Sequence, residues 1–177
     1  METSGAASSN RARVRRAAGW LLSAALLGCA STPLNGHTYR NDEVSFELGP
    51  YPDRWRQIGS DDVLVAFRDD GDDATIAING RCGKDADDVP LEALTQHLFL
   101  EFTDRKLIGQ ERTTLASRAA LRTEIVAALD GVSKHYVVYV LKKDGCVYDF
   151  MYIASLGSSN DERAAFDEFV RGFRTTR

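Results

Sequence analysis

Two Asp-Gly dipeptides, Asp130-Gly131 and Asp144-Gly145, restrict this chain more than any other feature. A type I′ hairpin turn needs a left-handed backbone at both central positions, which Asp tolerates and Gly adopts freely. The flanking runs, residues 118–129, 132–141 and 147–154, are therefore read as three successive antiparallel strands. Residues 118–129 hold enough Ala and Leu for a helix. Yet Leu121, Thr123, Ile125, Ala127 and Leu129 alternate, and alternation next to such a turn decides for strand. In the second run Tyr136, Val138 and Val140 point one way and Val137, Tyr139 and Leu141 the other. A strand that is apolar on both faces is covered on both faces.

The earlier part of the chain reads in the same way. Val44, Phe46 and Leu48 alternate with polar neighbours as a half-buried strand, which Gly49, Pro50 and Pro52 break. Trp55 and Ile58 begin a short second strand. Residues 63–67 and 74–78 flank the acidic turn 69–73 as a hairpin. Residues 90–106 change period: Leu91, Leu94, Leu98 and Phe102 form one helical stripe, with Pro90 in the first turn. Thr113 to Leu115 is read as another strand. A last helix opens at Ser159 with Glu162 at capping-box spacing, and Phe166, Phe169, Val170 and Phe173 form its inner stripe. The expected class is α+β, a three-layer α-β-α sandwich with a central antiparallel sheet.

This pattern resembles the PsbP-like superfamily. The resemblance rests on Phe46-x-Leu48 followed by Pro52 and Trp55, on the two Asp-Gly hairpins, and on Phe166-x-x-Phe169-Val170-x-Gly172-Phe173. It spans residues 38–176 and implies an α-β-α sandwich. Members of the superfamily include extrinsic subunits of the photosynthetic oxygen-evolving complex, a nuclear factor that binds a small GTPase, and bacterial lipoproteins such as DcrB. Most act by binding a partner. The matched positions are structural, so the resemblance carries over no functional residue.

The first 28 residues read as an address. Arg11, Arg13, Arg15 and Arg16 precede a short apolar run that ends in Leu26-Leu27-Gly28-Cys29. The run is too short to span a bilayer and suits a secretory signal. Its end resembles the bacterial lipobox, with Gly28 as the small residue before the cut; Leu27 stands where a small residue is usual. Cys29 is then the lipidated residue. Residues 29–40, rich in Ser, Thr, Pro, Asn and Gly, form a tether, and residues 41–177 form one PsbP-like domain. Ala30 follows the cysteine where Asp would signal inner-membrane retention, so the expected site is the outer membrane of a diderm bacterium, facing the periplasm. The signal carries four Arg and one Glu against a whole-chain net charge of −4. The mature domain is thus more acidic still and suits neither nucleic acid nor anionic headgroups. Attachment to the membrane falls to the lipid.

Two cysteines remain, Cys82 and Cys146. In an oxidising compartment they suit one disulfide, and closing that loop stabilises by about 4 kcal/mol in the chain-entropy model. Two separate thiols and half of a metal site stay open as alternatives. His37, His97 and His135 show no metal-ligand spacing, and no G-x-S-x-G, Walker or G-x-G-x-x-G motif occurs. No catalytic residue, cofactor or metal ligand is therefore assigned. The acidic turn Asp69 to Asp73 offers carboxylates to calcium but lacks EF-hand order, and a solvated hairpin tip is the plainer reading. Asp85, Asp87 and Asp88 are read as helix-capping. Arg54, Trp55 and Arg56 either contact a glycan or anionic partner or are a core Trp between surface arginines. The leading expectation is a lipid-anchored, non-catalytic envelope protein that binds an unidentified envelope protein. A periplasmic small-ligand or metal-binding module comes second, and a hydrolase without a sequence signature third.

Overall fold

The computed structural model describes residues 1, 34–83 and 89–176. Residues 2–33, with the signal, Cys29 and the start of the tether, lie outside them, as do Asp85, Asp87 and Asp88. The elements run β1 (Thr38–Arg40), β2 (Ser45–Glu47), β3 (Arg56–Ile58), β4 (Val65–Asp69), β5 (Ala74–Cys82), α1 (Leu91–His97), β6 (Thr103–Leu115), β7 (Arg118–Leu129), β8 (Val132–Lys143), β9 (Cys146–Ala154), α2 (Asn160–Arg171) and β10 (Arg174–Thr175).

Seven strands form one antiparallel sheet in the order β3-β4-β5-β9-β8-β7-β6. Asp130, Gly131, Asp144 and Gly145 all have positive φ, between 51° and 78°. They turn β7 into β8 and β8 into β9 as their residue types require. A small second sheet, β1-β2-β10, joins the two ends of the described chain. Its strand β1 takes in the last three residues of the stretch expected to be tether.

Alternation along the long strands sends side chains into two cores. On one face Ile76, Ile78, Val137, Tyr139, Leu141, Tyr148, Phe150 and Tyr152 pack with Phe166, Phe169 and Val170 of α2 and with Phe46 of β2. On the other, Leu121, Ile125, Tyr136, Val138, Val140 and Val147 pack with Leu91, Leu94 and Phe99. The central strand β8 is buried on both sides. Ser159 caps α2, its hydroxyl accepting from the Glu162 N–H at 3.2 Å. The far end of α2 meets the chain so closely that only glycine fits. Gly49 N–H donates to the Phe169 carbonyl at 3.0 Å, and a β-carbon on Gly172 would overlap Gly49 Cα.

The helix expected over residues 90–106 is shorter. α1 stops at His97, residues 98–102 wind through i→i−3 turns, and β6 begins at Thr103. The stripe itself is present: Leu91 and Leu94 are buried, and Phe99 and Phe102 stack edge-on against Tyr136. Continuing the helix would leave the β7 edge without backbone partners. The β6 ladder supplies them, and that outweighs local helix propensity. The second sheet face is thus covered by a seven-residue helix and its following turns rather than by a long helix.

Candidate functional site

β6 is the last strand of the large sheet, and all but the end of its thirteen residues is exposed. An outer strand presents a row of backbone N–H and C=O groups with no ladder of their own. Leu107 and Ile108 are 57% and 54% exposed at its middle. The adjoining β7–β8 turn exposes Leu129 and Val132, which face each other across the ladder. Register shifts between Thr103 and Lys106 and between Leu107 and Gly109 bend the strand, and Asp104, Arg105, Lys106, Glu111 and Arg112 charge it. Bulges and charges of this kind keep an edge from aggregating without closing it. Arg112 also reaches Glu92 at 2.5 Å and ties the strand to α1.

The polar groups inside the molecule are mostly paired with one another. Arg122 of β7 bonds Glu124 at 3.0 Å and Asp167 of α2 at 3.2 Å, and the Tyr139 hydroxyl donates to the same Asp167 at 2.8 Å. His135 Nε2 lies 2.9 Å from Glu124 Oε1, the one histidine seen to meet a carboxylate among the described residues. Burial pushes the His135 imidazole below its ordinary value, and Glu124 offsets part of that. The group works as a clamp between α2 and the sheet. His37 Nδ1 instead contacts the Gly49 carbonyl at 3.0 Å. His97 lines a cleft of about 400 Å³ with Arg81, Val89, Leu94 and Val147. Deep beside Arg81 lies Asp149, 3.5 Å from its guanidinium; burial pushes the carboxyl up to about 6, and Arg81 offsets it.

Trp55 is 3% exposed and packs against Tyr51, Phe67 and Phe169, so of the two readings of its cluster it is the core one. Arg54 bonds Asp69 at 2.8 Å and also pairs with Glu162, while Arg56 reaches Asp70 at 3.3 Å. The acidic turn is not merely a solvated tip. Asp69 is buried, and Asp69, Asp72 and Glu162 each offer a carboxylate oxygen within 4.8 Å of the others. Asp73 is drawn well below the usual carboxylate range, first by Lys134 and then by Ser155 and Arg68.

Cys82 and Cys146 are bonded, with an S–S distance of 1.99 Å, and close the end of the β5–β9 ladder. Cys29 lies outside the described residues. Among the described residues no helix is long and apolar enough to cross a membrane. Sequence reasoning placed a strand at Thr113 to Leu115, the end of β6, but missed the rest of that edge, the Glu124–His135 pair and the burial of Asp149 and Glu162. Asp149 did leave a signal, since it is the one charge on the Val147–Met151 face of a strand otherwise apolar on both sides.

No family model matches the chain, and no curated protein matches it by sequence. Solved structures do. The solution structure of cyanobacterial PsbP (CyanoP) from Synechocystis sp. PCC 6803 is 18% identical, with a TM-score of 0.59 over 88% of this chain and 99% of that one. The crystal structure of LpqN of Mycobacterium tuberculosis, involved in cell envelope biogenesis, is also 18% identical. Its TM-score is 0.52, over 77% of this chain and 87% of that one. The fold of this chain is therefore PsbP-like.

Proposed function

We propose that this PsbP-like chain is a non-catalytic accessory domain of the bacterial cell envelope that holds another protein. In this reading it is one three-layer α-β-α domain, lipid-anchored through Cys29 to the outer membrane and facing the periplasm. The observation that carries the binding role is the exposed β6 edge with Leu107 and Ile108 at its centre. An extended segment of the partner would add to that edge as a further strand, backbone giving affinity and Leu107 and Ile108 giving selectivity. The internal acid, base and guanidinium groups support the same reading, because they are used on one another as clamps. The envelope role described for LpqN supports the location. Tethering at the membrane raises the effective concentration near membrane partners, so a modest intrinsic affinity suffices.

Crosslinking in intact cells, followed by tag purification and mass spectrometry, tests this. One envelope protein should be recovered with the native chain and lost with Cys29→Ala, where the anchor is removed. Recovery of the chain alone in both samples would overturn the adaptor role. The cleft beside His97 and Arg81 supports a second reading, a small-ligand module, since about 400 Å³ is within the size range of ligand sites. Thermal melting against a metabolite panel addresses that one.

A further inference from the structure

We propose that Asp69, Asp72 and Glu162 form a calcium site at the junction of the β4–β5 turn and the first turn of α2. This site is independent of the β6 edge and goes beyond the partner-binding role. Asp69 ends β4 on the side facing α2, Asp72 sits in the turn that follows, and Glu162 is held in place by the Ser159 cap. One oxygen from each carboxylate lies within 4.8 Å of the other two, close enough for a single ion to touch all three.

Acidic clusters are common without a metal, so the case rests on what the cluster leaves unfilled. Glu162 is 4% exposed, and its Oε2 is buried with no hydrogen-bond partner among the described residues. Its other oxygen is taken by Arg54, which also holds Asp69. Buried polar groups are nearly always satisfied, and a desolvated carboxylate oxygen is the costliest to leave bare.

Charge points the same way. Three carboxylates face one guanidinium, and a divalent ion brings the group to neutrality. Every available donor is a carboxylate or hydroxyl oxygen, which selects a hard cation over zinc or copper. Their irregular arrangement, drawn from two turns and a strand, suits the flexible coordination of calcium better than the strict octahedron of magnesium.

The test uses the purified chain stripped with a chelator. Millimolar calcium chloride should raise Tm by several degrees, as a ligand that binds only the folded state must. Terbium, a luminescent stand-in for calcium, should show emission sensitised by the tyrosine and tryptophan side chains of the fold. Asp72→Asn should abolish both responses while leaving the metal-free Tm equal or higher, since it relieves repulsion at a half-buried position. Glu162→Gln, whose amide oxygen can still accept from Arg54, should do the same. A native chain whose Tm ignores millimolar calcium would overturn the proposal. So would an undiminished shift in Asp72→Asn or Glu162→Gln.

Discussion

Asp149 lies 7% exposed between Val147 and Met151, and its charged partner among the described residues is a half-exposed arginine at 3.5 Å. Burial raises its carboxyl to about 6, so between pH 4 and 6 the folded state binds a proton that the unfolded state has released. Asp149 therefore makes stability fall as pH rises through that window, by up to about 3 kcal/mol from the size of the shift. His135 acts in the opposite sense. Its lowered value means that stability is lost as pH falls through the ordinary histidine range. The two are separated by substitution. Asp149→Asn should be more stable than the native chain at pH 7, by up to the same 3 kcal/mol, and the advantage should vanish near pH 4. Urea unfolding of both proteins across that range gives the difference directly. A pH-independent difference would mean that Asp149 is ionised at no energetic cost.

At the scale of elements, the β5–β9 ladder joins the N-terminal hairpin to the C-terminal meander, and the disulfide closes its end across a sequence separation of 64. Replacing both Cys82 and Cys146 by Ser should cost about 3–4 kcal/mol, read from the urea midpoint, and reductant should do the same to the native chain. The α2–Gly49 approach is the second element-level constraint. Gly172→Ala should cost about 1–3 kcal/mol, because the obstacle is backbone and cannot rotate aside. An unchanged melting temperature would show that the end of α2 can shift. The meander was legible in the sequence because β7 carries one alternating apolar set, β8 and β9 carry two complementary ones, and the two turns between them carry Asp-Gly. The α2 stripe and its Ser159 cap were legible for the same reason. Of β6 only the end at Thr113 to Leu115 was, since the remainder is exposed on both faces and leaves no alternation to read, and Leu98 and Phe102 happened to continue a helical stripe. β10, two residues long, carries no period at all. The cluster at Asp69 was half legible: the acidic turn was visible, but Glu162, over ninety residues away, had been used up by the capping-box reading.

For the whole molecule, the large sheet has one edge at the short β3 and the other at the long β6. Partner capture through β6 predicts that Leu107→Lys with Ile108→Lys changes the melting curve little, because both residues are more than half exposed and a lysine stem can cover the same surface. The same pair should abolish recovery of the crosslinked partner. Capture that survives the double substitution would move the contact elsewhere on the surface. The small sheet has a different consequence. β1 and β10 both flank β2, so the chain enters and leaves the described fold two strand spacings apart, on the order of 10 Å. A linker of a few residues could therefore join its beginning to its end. Reopening the loop at Asp130-Gly131 would then give a circular permutant in which every ladder and the disulfide remain possible. Such a molecule would carry both of its free ends at the β7–β8 turn, at the opposite side of the chain's order from where they now lie beside β2.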